Sequence, residues 1–196
     1  MHRSTHDRTP IIMKIEIISS GTRIGRKSHL VSVYLQQLLQ AKDYQADIID
    51  LQELKLETFE EVLRKHPNPT ESIKIISNRL LQSDGQIWVS PEYNGSYTAA
   101  LKNMIDQLGK EEFTRKAIGI VSVSSGALAG MRCALDMQHL ALALFAHPSP
   151  YMLTVPEIHK RIDENGNLLD DAFEVKCQNF LKEFCWLSSA LSGKLV

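Results

Sequence analysis

The sequence predicts a three-layer α/β fold, with a five-stranded parallel sheet in the order 2-1-3-4-5 and helices on both faces. Three observations carry this. Short apolar runs alternate with longer stretches of helical period along the whole chain. Several of the short runs are apolar almost throughout, as strands covered on both faces must be. There are five of them, which suits a five-stranded sheet better than a six-stranded dinucleotide fold. Alternation of this kind implies right-handed crossovers.

Taken in order, the first strand is Lys14–Ile18, followed by a helix over Arg26–Leu39 with Val31, Tyr34, Leu35 and Leu38 among its apolar positions. The second strand, Ala46–Asp50, precedes a helix over Ser72–Leu81. The third strand, Gln86–Ser90, leads into Tyr97–Leu108, where Leu101, Met104, Ile105 and Leu108 recur at i, i+3, i+4 and i+7; Ser96 is the expected N-cap. Ala117–Val123 is the fourth strand, before a helix over Ala127–Phe145. The fifth, Tyr151–Val155, is separated from a last helix over Asp170–Leu191 by the turn cluster Asp163-Glu164-Asn165-Gly166-Asn167.

At 196 residues and 43% hydrophobic, the chain has room for one full core, expected over residues 13–196. Residues 1–12 are polar, lack a signal-peptide core and precede the first strand, so they read as an N-terminal extension. Twenty-two basic against 23 acidic residues give a net charge of −1, which implies no nucleic-acid or anionic-membrane partner. No apolar run approaches the roughly 20 residues of a membrane span. Three cysteines without a close pair suit a reducing, cytoplasmic location. Cys177 and Cys185 share a helical stripe with Phe173, Phe180, Leu181 and Phe184 and read as core. The seven histidines are scattered without ligand spacing, so no metal site is expected.

In a sheet of this order, ligands bind outside the carboxyl ends of the strands, and three unusual loops fall there. The first is Ser19-Ser20-Gly21-Thr22-Arg23-Ile24-Gly25-Arg26-Lys27-Ser28-His29. Small hydroxylated residues, two glycines and several basic side chains before a helix are what a phosphate needs; the alternative is a polar turn with solvated charges. The spacing fits neither a P-loop nor G-x-G-x-x-G. The second loop is Pro91-Glu92-Tyr93-Asn94-Gly95-Ser96, where Gly95 permits φ > 0 or close approach of a flat ligand. By itself it is either a binding loop or a structural turn with Tyr93 packed and Asn94 capping. The third runs from Ser122 through Ser124-Ser125-Gly126 to Arg132. Its small residues allow close backbone approach, and Arg132 reads as a surface or subunit-contact residue.

At these residues the chain resembles the NADPH-dependent FMN reductase family, a flavodoxin-like group that includes quinone, chromate and azo-dye reductases. The resemblance runs from about Met13 to the final helix and is most specific at Pro91–Ser96, continuing through Leu101-Lys102-Asn103 to Ile105-Asp106. The first loop is similar to the family's G-S/T-x-R-x-x-S pattern, with Thr22 and His29 standing near positions usually held by other residues and a stretched spacing from Arg23 to Ser28. The resemblance implies that FMN is the cofactor, with its phosphate on Gly21, Thr22, Arg23 and Ser28, and with Ser20 and His29 also among the cofactor-binding residues. It implies that the ring edge meets the backbone of Glu92, Tyr93 and Asn94, with Pro91 and Gly95 also among the cofactor-binding residues, and that Ser124, Ser125 and Gly126 approach the pyrimidine end. Hydride would pass from NAD(P)H to the flavin N5 and on to a quinone, azo compound, free flavin or similar small acceptor in ping-pong order. No catalytic side chain is then required, and Glu92 serves through its backbone. The family's habit implies a homodimer or homotetramer, for which the apolar helix from Leu135 to Phe145 is one candidate surface. The alternatives are an electron carrier of the flavodoxin type, a flavin-binding redox sensor without significant turnover, or a related domain that binds no flavin. The carrier type resembles this chain less, since such carriers have a strongly acidic surface.

Overall fold

A computed structural model describes residues 13–194, so the expected extension at residues 1–12 lies outside the described residues. The strands are β1 (Lys14–Ser19), β2 (Gln45–Asp50), β3 (Gly85–Pro91), β4 (Ala117–Val123), β5 (His147–Pro148) and β6 (Leu153–Val155). The helices are α1 (Ser28–Gln40), α2 (Leu51–Leu54), α3 (Glu71–Gln82), α4 (Ala99–Gln107), α5 (Met131–Ala143) and α6 (Asp171–Ser192). All strand pairs are parallel, and the order is β2-β1-β3-β4 followed by β5 and β6, both paired with β4. This is the 2-1-3-4-5 sheet of a flavodoxin-like fold, its fifth strand broken in two.

The pleat sends alternate residues to opposite faces. Ile15, Ile17, Ile87 and Val89 pack with Val31, Leu35 and Leu39 of α1 and Phe173, Phe180 and Phe184 of α6. Ile18, Trp88, Ile118 and Ile120 pack with Ile76 and Leu80 of α3, Leu101 and Met104 of α4, and Met137 of α5. Cys133, Cys177 and Cys185 are free thiols in these two cores, and burial pushes them up to about 12, 12 and 11 respectively. They are packing groups, as the stripe in α6 predicts for Cys177 and Cys185.

Three local readings are corrected. Ser96 does not cap α4: Thr98 does, its hydroxyl accepting from Leu101 N–H at 3.2 Å, while Ser96 Oγ donates to Asp136 at 2.7 Å. The expected strand Tyr151–Val155 shortens to β6, and β5 pairs separately, with the register against β4 shifting by two residues between them. Pro148 and Pro150 cannot donate to a ladder, and the chain bulges there. The helix expected from Ala127 begins at Met131, after a loop with Ala129 and Gly130 at positive φ. The four-residue α2 was not anticipated; it starts where the Asp50 side chain accepts from Gln52 N–H.

Candidate functional site

The loops after β1, β3 and β4 converge on one cleft of about 320 Å³, lined by Arg23, Ile24, Gly25, Arg26, Lys27, Ser28, Pro91, Glu92, Tyr93, Val123, Ser124, Ser125 and Ile158. Their convergence follows from β1, β3 and β4 lying side by side in parallel, which puts their carboxyl ends on one edge of the sheet.

The first loop ends on the N-terminus of α1. Among the described residues no side chain caps that terminus, and no acidic residue occupies the first turn, so its positive end is uncompensated there. Ser28 is 4% exposed, yet its hydroxyl has no hydrogen-bond partner among the described residues. A Cβ built on Gly21 would lie 2.4 Å from that hydroxyl, so the backbone passes over Ser28 as closely as glycine alone allows. A buried hydroxyl without a partner beside an uncapped helix end fits an anion with oxygen acceptors. Arg23 leans across the cleft, its guanidinium 5.6 Å from the centre of the Tyr93 ring.

Arg26 is spoken for within the protein. It donates to the Gly21 carbonyl at 2.8 Å, and its guanidinium grips both carboxylate oxygens of Asp50. The His29 ring turns away onto Ser19 Oγ at 3.1 Å and Asp50 at 3.5 Å. Burial and the neighbouring Arg26 charge hold its pKa below the usual histidine value, against Asp50 and Glu53. Ser20 is buried and its hydroxyl donates to the Val89 carbonyl. Thr22 faces the other way, into a cavity of about 820 Å³ shared with Leu51, Lys55, Ala99 and Asn103 among others. That space is larger, but Ser28 and the uncapped start of α1 lie at the other cleft.

In the second loop, Asn94 and Gly95 lie at φ 52° and 85° between a reciprocally bonded Tyr93 and Ser96. Positive φ at both central residues is the requirement of a type I′ turn, for which Asn-Gly is the preferred pair. The Glu92 N–H donates to Val123 and the Tyr93 N–H to Ser96, each at 2.9 Å. Among the described residues, the Asn94 and Gly95 N–H groups have no protein acceptor. The Glu92 carboxylate points at α5, accepting from Cys133 N–H at 3.4 Å and Arg132 at 3.3 Å. Arg132 therefore pairs with the loop and also lies 3.4 Å from where a Gly95 Cβ would be.

In the third loop, Ser124 Oγ accepts from Gly126 N–H at 3.0 Å, and Ser124 N–H donates to Val155. Ser124 and Ser125 line the cleft, whereas Gly126 turns the chain behind them. Lys27, Ile24 and Ile158 also line it and were not singled out from the sequence. Lys27 sits inside the basic loop and could have been; Ile158 follows the fifth strand, and no local pattern marks it.

A parallel 2-1-3-4-5 sheet with helices on both faces and a cleft between three loops at its carboxyl edge defines a protein of the flavodoxin-like class. Comparison with known proteins then gives the family. The pattern of NADPH-dependent FMN reductases matches residues 13–160, and the chain belongs to that family, whose members are oxidoreductases using FMN. Among curated relatives, an NADPH azoreductase of Bacillus sp. (strain OY1-2) is 28% identical over 82% of this chain and 84% of its own length. An FMN-dependent NADPH-azoreductase of Staphylococcus saprophyticus is 24% identical over 87% and 93%. Among solved structures, the flavoenzyme NAD(P)H:(acceptor) oxidoreductase FerB of Paracoccus denitrificans shares the fold, with a TM-score of 0.78 at 18% identity over 91% of this chain and 98% of that one. No described helix is long and apolar enough to cross a membrane.

Proposed function

We propose that residues 13–196 form an FMN-dependent NAD(P)H oxidoreductase unit that reduces small acceptors, azo compounds and quinones foremost, by a ping-pong mechanism. The observation that carries the site is the buried Ser28 hydroxyl, without a partner among the described residues, beneath Gly21 at the uncapped start of α1. In this reading Ser28, the N–H groups of the loop from Gly21 to Arg23 and the Arg23 guanidinium hold the FMN phosphate. The Asn94 and Gly95 N–H groups meet the polar edge of the ring, and Ser124 and Ser125 flank it. FMN, when bound, supplies acceptance and release of a hydride. The protein's part is to hold the ring edge-on, keep one face open to NAD(P)H and then to the acceptor, and hold the Asn-Gly turn rigid through its reciprocal bonds and the Glu92 tie to α5. None of these roles moves a proton at a side chain, so Glu92 acts as scaffold.

Azo compounds come first among acceptors because the curated relatives are named azoreductases. A homodimer or homotetramer is supported by an apolar row of exposed side chains, Leu128, Met131, Leu135 and Leu142, along α5 and the loop before it. The buried free thiols suit a reducing cytoplasm.

The test is an absorbance spectrum of the purified protein, followed by NADPH or NADH addition with and without an azo dye or quinone. Bound flavin and acceptor-dependent NAD(P)H oxidation with parallel double-reciprocal lines are expected. Colourless protein that takes up no FMN would sink the site, and bleaching without turnover would point to a carrier or sensor.

A further inference from the structure

The first loop carries three basic side chains, Arg23, Arg26 and Lys27, yet Arg26 is already neutralised. We propose that Arg26 and Asp50 form a latch that holds the phosphate loop in its anion-accepting shape, so that Asp50, an acidic residue, strengthens FMN binding without touching the cofactor. This rests on the FMN site proposed above. Within the loop from Gly21 to Arg26, a single backbone hydrogen bond, Arg26 N–H to Arg23 O at 3.2 Å, is present among the described residues. The shape therefore depends on side chains. The Arg26 guanidinium binds the Gly21 carbonyl at 2.8 Å and both Asp50 oxygens, with the two side chains 12% and 8% exposed. A carbonyl held by a guanidinium cannot swing toward an anion, where it would repel. Asp50 is itself anchored, accepting from Gln52 N–H at 3.0 Å and lying 3.5 Å from His29, which leans on Ser19. The loop is thus braced against the carboxyl end of β2, two strands away from the second loop.

Two ideas about Arg26 give opposite signs for Asp50→Asn. If Arg26 is a direct phosphate ligand restrained by Asp50, removing the carboxylate frees it and removes a negative charge near a dianion, so FMN binds more tightly. If the pair is a latch, the loop loosens and FMN binds more weakly. The experiment titrates the full chain, freed of flavin, with FMN and separately with riboflavin, which lacks the phosphate, by flavin fluorescence. In Asp50→Asn, FMN affinity should fall about tenfold, as for loss of one charge-assisted contact, with riboflavin affinity nearly unchanged. Arg26→Lys keeps the charge but not the two-pronged grip, and should lose FMN affinity to the same extent. The double variant should lose no more than either alone.

Unchanged or tighter FMN binding in Asp50→Asn overturns the latch. Equal losses for FMN and riboflavin also overturn it, because they report a general loss of fold. If the unaltered protein binds FMN no better than riboflavin, the phosphate site itself is wrong and the latch falls with it. Should Asp50→Asn fail to fold, Arg26→Lys alone decides: retention of normal FMN affinity rejects the proposal.

Discussion

Arg23 stands over the Tyr93 ring, and no carboxylate lies within ion-pair reach of it among the described residues, whereas Arg26 is bound to Asp50. Two arginines three positions apart thus differ in kind: one has charge to offer a ligand, the other has spent it. Arg23→Ala should weaken FMN binding by about 1.5–3 kcal/mol through loss of a charge-assisted contact, measured by fluorescence titration. Normal retention in both Arg23→Ala and Asn94→Ala would reject the site. Acid adds a second prediction at this scale. Burial pushes the Asp50 carboxyl up, but hydrogen bonds from Arg26 and Gln52 N–H and the nearby Arg26 and His29 charges outweigh it and hold the group below the usual range. His29 is also lowered, by burial and then by Arg26. For both groups the folded value lies below the unfolded one, so their contribution to stability is complete above the unfolded pKa and lost as pH falls through the folded one. Those unfolded values are about 6.5 for His and 3.9 for Asp. His29→Gln should flatten the decline in Tm just below about pH 6.5, and Asp50→Asn the decline below about pH 3.9, in a thermal-melt series. These distinctions were not legible in the sequence. It shows a basic, hydroxyl-rich loop, but Asp50 lies 24 residues beyond Arg26, and the pairing exists only because β1 and β2 end side by side.

Element boundaries follow from caps and packing. Thr98 caps α4 and ties it to β3, its hydroxyl accepting from Leu101 N–H of the helix and its own N–H donating to Ser90 Oγ of the strand at 3.1 Å. Thr98→Ala should cost about 1 kcal/mol in denaturant melts. Ser96 and Thr98 are both acceptable caps by residue type; the choice is made by the Asn-Gly turn, which closes Tyr93 on Ser96 and leaves the hydroxyl of Ser96 facing Asp136. β4 meets α6 at Gly119, where an added Cβ would lie 2.9 Å from Phe180, 3.0 Å from Phe184 and 3.2 Å from Ile87. Gly119→Ala should therefore destabilise by about 1–3 kcal/mol through overpacking against two stacked rings, read in the same melts. Strands β1 to β4 were legible because strands covered on both faces are largely apolar, with a polar residue such as Glu16 or Asp47 only here and there. The fifth was less so, since its apolar residues flank two prolines and its pairing is decided by what β4 leaves open.

Over the whole molecule, the sheet divides the core in two and delivers three loops to one edge, and the apolar row on α5 remains uncovered. Leu128 is 79% exposed, and Ile24 in the phosphate loop is 98% exposed near the mouth of the cleft. A protein of this size rarely leaves such a row to water. The chain should sediment as a dimer or tetramer, and Leu135→Glu should shift it toward monomer; a monomeric unaltered protein would remove the case for this surface.

The sequence by itself determined the alternation of strands and helices, hence the parallel sheet, and the composition of the three loops, hence the family. Hydrophobic period and turn chemistry are local properties that residue order carries directly. Only the tertiary structure decided which donors in those loops are still free. Among the described residues, Glu92 and Tyr93 spend their N–H groups, while Asn94 and Gly95 keep theirs; Arg26 is consumed, Arg23 is not, and Ser28 is buried without a partner. A hydrogen bond is a pairing of groups distant in the chain, and which pairs form depends on where the sheet brings their strands together.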